Sequence, residues 1–184
     1  MIKFFKKKHL LQRTFITQTF VFLVVFSSCS EHKSSVLKPS EEVLQIRKPV
    51  VELYQNLKVE DGKAPNFEFI YSLFTETANL GYVKEDNLIL KSPQEYFSGM
   101  QGGIDSGIVK LLHEWEINGE TAHFGDIAHH RSTYGVYFGT TDSIAERGVT
   151  SFQLVKLKGD WKIQSMIWKA ENVNLRIPEN YLKN

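Results

Sequence analysis

Two stretches of the chain, Leu111–Phe138 and Gly148–Glu171, alternate apolar and polar residues and are rich in β-branched and aromatic side chains. That period of two predicts a pair of β-hairpins in series. In the second, Gly159-Asp160 separates the runs and accepts the positive φ of a two-residue turn. Pairing across it opposes Phe152 to Ile167 and Leu154 to Ser165, so Phe152, Leu154, Trp161, Ile163 and Ile167 form the expected core face. Val149, Gln153, Val155, Met166 and Trp168 then share the outer face. The first hairpin has two competing turns, Asn118-Gly119 and Gly125-Asp126. The former would set Asp126 among Leu111, Trp115 and Phe124. The latter opposes Ile117 to Tyr134, Trp115 to Val136 and His113 to Phe138 on one largely apolar face. It leaves Glu120 against Arg131 on the other, with Glu114, Glu116 and His129 on a wet surface. Gly125-Asp126 is therefore the expected turn.

Upstream the period changes to that of helices. Ser40 caps a helix with Glu41 and Glu42 in its first turn, where the helix dipole favours acids. Val50, Leu53, Tyr54 and Leu57 give it one apolar stripe, and Pro49 is expected to kink or restart it. After a break at residues 61–65, Phe67, Ile70, Tyr71 and Phe74 form a second amphipathic stripe. Ala78–Val83 and Leu88–Leu90 are short strand candidates. Ser92-Pro93-Gln94-Glu95 has the order of a capping box, with Tyr96, Phe97 and Met100 as the buried side and Gly102-Gly103 as the stop. This order predicts an α+β fold, with N-terminal helices on the concave side of a strongly curved antiparallel sheet.

The first residues follow a different logic. Lys3, Lys6, Lys7, Lys8 and Arg13 form a basic head, and the apolar run Phe15–Phe26 is too short to cross about 30 Å of hydrocarbon. Such a run suits the core of a signal peptide. Phe26-Ser27-Ser28-Cys29 resembles the lipobox of bacterial lipoproteins, although Phe26 stands where an aliphatic residue is usual. Cys29 is the chain's one cysteine and sits where lipidation requires it. The expected organisation is a lipoprotein signal peptide over residues 1–28, a tether over 29–39 and one domain over 40–184. The expected location is the bacterial cell envelope, lipid-anchored, with the domain in the periplasm or otherwise outside the cytoplasm. Removing residues 1–28 takes away five basic residues from 22 and none of the 21 acidic ones, leaving 17 against 21, a net charge of −4. That balance argues against nucleic-acid binding.

The order of elements, together with Glu114-Trp115-Glu116-Ile117, Phe124-Gly125-Asp126-Ile127-Ala128, Ser132-Thr133-Tyr134, Arg147-Gly148-Val149 and Trp161-Lys162-Ile163, resembles the nuclear transport factor 2-like (SnoaL-like) superfamily. More narrowly it resembles an uncharacterised bacterial branch of that superfamily, over roughly residues 43–178. The resemblance implies a cone-shaped fold, and the superfamily's enzymes use different residues on the same cone, so it implies no one activity. Gly135 and the pair His129-His130 depart from the branch's pattern, which has an acid and a more apolar pair there.

Among candidate chemical groups, His113, His123, His129 and His130 do not gather. Adjacent strand residues point to opposite faces, and His113 lies about 30 Å along its strand from His123. No metal or cofactor is expected. His130, Ser132 and Tyr134 share a face with Trp115 and Ile117 and would line a ligand pocket, with Arg147 at its mouth. His130 and Tyr134 are the candidates for acid–base catalysis, an imidazole titrating near neutral pH. The plainer reading gives His130 a structural hydrogen bond to Thr121 opposite it. Three functions follow: binding of a small apolar or amphipathic molecule without turnover, cofactor-free lyase or isomerase activity, and a non-catalytic dimeric interaction module. A homodimer is expected to pair through the outer face around Met166 and Trp168. Cys29→Ala should move the protein from the membrane fraction to a soluble or uncleaved form on cell fractionation, since two or three acyl chains hold firmly.

Overall fold

The structure, a computed structural model, describes residues 39–183; the expected signal peptide and the lipid attachment at Cys29 lie outside them. Helices α1 (Glu41–Asn56) and α2 (Phe67–Ser72) come first, followed by strands β1 (Phe74–Lys84) and β2 (Asn87–Lys91), then helix α3 (Pro93–Asp105). Four long strands complete the sheet: β3 (Leu112–Phe124), β4 (Ile127–Phe138), β5 (Glu146–Leu157) and β6 (Asp160–Ala170). A short 3₁₀ turn, Glu179–Tyr181, closes the chain. None of the described helices is long and apolar enough to cross a membrane.

Local signals set the helix ends. The Ser40 hydroxyl accepts the amide of Val43 at the start of α1, and Ser92 and Glu95 cap α3 reciprocally. Two expected breaks give way to packing. Pro49 lies inside a continuous α1 and is itself buried, and α3 runs through Gly102-Gly103 to Asp105. Phe74 leaves the second helical stripe and opens β1.

The six strands lie in the order β2-β1-β6-β5-β4-β3 in a curved, unclosed sheet. It is antiparallel except where β1 meets β6, which pair in parallel. Ile46, Val50 and Leu53 of α1, Ile70 of α2 and Phe97 of α3 are fully buried against Leu80, Phe152, Leu154 and Ile163 of the sheet. The fold is thus α+β with helices on the concave side.

Two β-bulges correct the expected register. The first hairpin does turn at Gly125-Asp126, and Glu120 faces Arg131. Between Glu116 and Asn118, however, the register shifts by one, so two residues of β3 oppose one of β4. Trp115 therefore faces Gly135 instead of Val136, and Glu116 takes the place opposite Tyr134 that Ile117 was expected to fill. The second hairpin turns one residue earlier than expected, through Lys158 and Gly159, both at positive φ. That turn makes Leu154 face Ile163, and a second bulge, in β6 at Gln164, then makes Phe152 face Met166. Phe152, Leu154, Trp161 and Ile163 are core residues as expected. Ile167 is not, and Met166 and Trp168 turn inward. Those two residues therefore cannot centre an outer-face dimer contact.

Gly148 lies beside Tyr134 in the sheet, and a Cβ there would run into the Tyr134 hydroxyl and the Lys169 carbonyl. Gly148→Ala should cost about 2–3 kcal/mol through overpacking. Gly99→Ala, in α3 with open space around it, should be neutral or stabilising by up to about 1 kcal/mol through helix propensity. Urea unfolding midpoints of the two variants check both.

Candidate functional site

Side chains on the concave face fall into rows that cross the strands. One row sets Glu116 beside Tyr134 and Gly148; the next sets Glu114, Val136 and Glu146 side by side. These rows separate two polar groups of opposite character.

The first group is closed. His130 is fully buried; its Nδ1 lies 2.8 Å from the Thr121 hydroxyl and its Nε2 lies 2.6 Å from the Glu116 carboxylate. The other Glu116 oxygen accepts from the Arg47 guanidinium of α1. Beside them the hydroxyls of Tyr54 and Ser132 are 3.0 Å apart. Burial opposes ionisation of Glu116, but hydrogen bonds from His130 and Ser132 and the Arg47 charge outweigh it and hold its carboxyl below the usual range. Gly119 makes room for this contact, since a Cβ there would stand 2.6 Å from both Glu116 and the His130 ring.

The second group is open. A cavity of about 340 Å³ lies between the end of α1, α3 and strands β3 to β6. Its apolar walls are Leu57, Phe97, Leu112, Val136, Met166 and Trp168, and its polar groups are Glu114, Glu146, Tyr134, Tyr96 and Thr150. Tyr134 donates a 2.8 Å hydrogen bond to Glu146. Among the described residues Glu114 has no hydrogen-bond partner; burial first, and the Glu146 charge second, push its carboxyl up to about 8. Burial and the same two carboxylates push the Tyr96 phenol up to about 12. Burial, together with the Glu146 carboxylate that accepts its hydrogen bond, holds Tyr134 far above the usual phenol range. Tyr96 stands edge-on to Trp168, with centroids 5.3 Å apart. A second depression, of about 540 Å³, adjoins the cavity across Tyr96, Glu146 and Trp168. A larger depression, about 740 Å³, lies between α1, α2 and the β5–β6 turn. Lys48, Glu52, Lys156 and Lys162 line it, a mixture of charges typical of a solvated valley.

Of the residues expected to line a pocket, only Tyr134 reaches the cavity. Ser132 and His130 are on the concave face but sealed, with His130 bonded to Thr121 as in its structural reading. Trp115 is displaced by the bulge; its ring packs on Tyr137 at 4.7 Å, over Gly135. Ile117 is the bulged residue itself. Arg147 points away from Glu146, its neighbour in the strand, and is held by Glu171 with Nε 2.6 Å from the carboxylate. Sequence reasoning missed Glu114 and Glu146, having placed Glu114 on the wet face. Among the described residues no cluster of three or more His, Cys, Asp or Glu side chains could hold a metal ion.

Neither a protein-family model nor a curated protein matches the chain. Solved structures do. A protein of unknown function with a cystatin-like fold from Nostoc punctiforme is 15% identical over 74% of this chain and 97% of its own, with a TM-score of 0.56. A scytalone dehydratase candidate from Novosphingobium aromaticivorans is 16% identical over 71% of this chain and 85% of its own, with a TM-score of 0.56. A dehydratase candidate of the NTF2-like family from Streptomyces avermitilis is 15% identical over 74% of this chain and all 100% of its own, with a TM-score of 0.55. At such identities the likeness is one of fold, and that fold is nuclear transport factor 2-like.

The raised Glu114 predicts a pH dependence. A carboxyl that titrates near 8 folded and near 4.5 ordinarily holds a proton in the folded chain that the unfolded chain has lost. Its stabilising contribution is complete below the ordinary range and is lost as pH rises, with a slope of about 1.4 kcal/mol per pH unit between those values. Urea unfolding at pH 5.5 and pH 8 should show wild type losing on the order of 2–3 kcal/mol more than Glu114→Gln over that interval.

Proposed function

We propose that the cavity binds a small, largely apolar molecule carrying a polar group that meets Glu114, without turning it over. The observation that carries this is the Glu114 carboxyl, held without a partner among the described residues in a cavity of about 340 Å³ with mainly apolar walls. Ligand sites are concave, mostly apolar and furnished with a few convergent polar groups, and strongly perturbed titrating groups cluster there. The lipobox-like Cys29 supports a domain tethered in the cell envelope, outside the cytoplasm.

One observation favours a second reading, a cofactor-free lyase or isomerase. Glu114 is protonated at neutral pH within reach of a bound molecule and could donate that proton. The catalytic group would then be Glu114 in place of His130, whose two ring nitrogens are already engaged.

The neutral fluorophore N-phenyl-1-naphthylamine should bind the purified domain and be excluded by Ala145→Trp, which fills the mouth of the cavity from an exposed position. Native mass spectrometry should show a small molecule retained by wild type and lost from the variant. Unchanged probe binding by Ala145→Trp would remove the cavity from consideration.

A further inference from the structure

The cavity contains two carboxyl side chains and no basic one: Lys, Arg and His are absent from its lining. Among the described residues, Glu76 and Asp160 of the sheet have no ion pair, while three other acids on or beside it do. Glu116 is paired with Arg47, Glu120 with Arg131 at 2.8 Å, and Glu171 with Arg147. Glu114 and Glu146 have none among the described residues, although they flank Val136 in one row, two strand spacings or about 10 Å apart along the backbone. Tyr134 occupies one oxygen of Glu146, leaving the other open. Thr150, 1% exposed and lining the same cavity, has a buried hydroxyl that lies near the Tyr54 phenol but forms no well-aligned hydrogen bond among the described residues. The rings of Tyr96, Phe97, Tyr134 and Trp168 supply the walls.

We propose that the ligand is an organic cation, an ammonium group on an apolar body, held between Glu114 and Glu146 against the rings of Tyr96 and Trp168. This rests on the cavity being a binding site, and it names the chemistry of what binds. A cation supplies what the lining lacks, because it is attracted to the Glu146 carboxylate and favours ionisation of Glu114 beside it, which a neutral or anionic guest does not. Aromatic faces attract ammonium groups through their quadrupoles, most strongly where water is excluded. Any N–H on the cation finds an acceptor in the Thr150 hydroxyl. The titratable groups facing the site are Glu114, Glu146, Tyr96, Tyr134 and, from α1, Tyr54. As the cation enters, Glu114 releases its proton to solvent, and the charge of the pair is balanced from outside the chain.

The test displaces N-phenyl-1-naphthylamine from the purified domain with three molecules of one shape class: benzyltrimethylammonium, its neutral isostere neopentylbenzene, and phenylacetate. The ammonium compound should displace the probe at a concentration at least tenfold lower than the isostere, and phenylacetate should be weakest. Glu114→Gln and Glu146→Gln, which keep shape and hydrogen-bonding capacity, should each erase that preference, read as the ratio of the displacing concentrations of the ammonium compound and its isostere within the same variant. Neopentylbenzene matching or exceeding the ammonium compound would overturn the ligand class and leave the cavity's binding role standing. A cation preference that survives both variants would place the cation elsewhere and overturn the proposal. Failure of the probe itself to bind would overturn the binding role and the proposal together.

Discussion

A strand alternates its side chains between two faces, so one extra residue reverses every facing on one side of it. In β3 that residue is Ile117. The bulge turns Glu114 and Glu116 into the cone and sends Trp115 out, where its ring covers Gly135 and packs on Tyr137. Carboxylates on a concave, largely apolar face are costly to keep charged unless they are paired. The polar architecture of the cone is the response to that cost. Gln164 in β6 does the corresponding thing on the other side of the site, carrying Met166 and Trp168 inward to form a cavity wall. Bulges recur beside functional sites because they aim side chains that strict alternation would misdirect.

The two inward carboxyls meet that cost in opposite ways. Glu116 stays ionised because Arg47, His130 and Ser132 surround it. With the Tyr54–Ser132 contact, this network fastens α1 to β3 and β4 by polar contacts as well as apolar ones. Buried ion pairs of this kind contribute more to a defined arrangement than to net stability, and here they fix the helix that forms one end of the cavity. Glu114 has no such company and keeps its proton instead. A group held in that condition by an apolar wall responds strongly to whatever enters, because any guest changes its hydration and its neighbouring charge at once.

What could be read from sequence followed period and turn chemistry. The capping box at Ser92, the apolar stripe of α1, the Gly125-Asp126 turn, the Glu120–Arg131 pair and the Thr121–His130 contact all depend on local signals or on register close to a turn. Errors in register began at the second hairpin's turn, which closes through Lys158-Gly159, and beyond the bulges. Ile117 and Gln164 carry no composition cue that marks them as extra residues, and strict alternation propagated a one-residue error to Trp115, Met166 and Trp168. The same error hid the site, since it placed Glu114 in water. A cue was present in retrospect: strict alternation put Trp115 opposite Val136 within the cone, whereas Gly135 offers the flat space that an indole ring needs.

The outer face shows the same economy of cover. Asn118, one residue past the bulge, donates to the Lys183 carbonyl at 3.0 Å, and the Arg131 guanidinium lies 3.7 Å from the ring centre of Tyr181. The C-terminal segment therefore lies over the outer side of β3 and β4 just where the bulge has disturbed the strand pairing. What this leaves on that side is the aromatic group His113, Trp115 and Tyr137. This is the aromatic surface that the Ile117 bulge delivers outward as it draws Glu114 in. That surface and the Glu114 side of the cavity are consequences of one inserted residue, so the strand could not lose one without rebuilding the other.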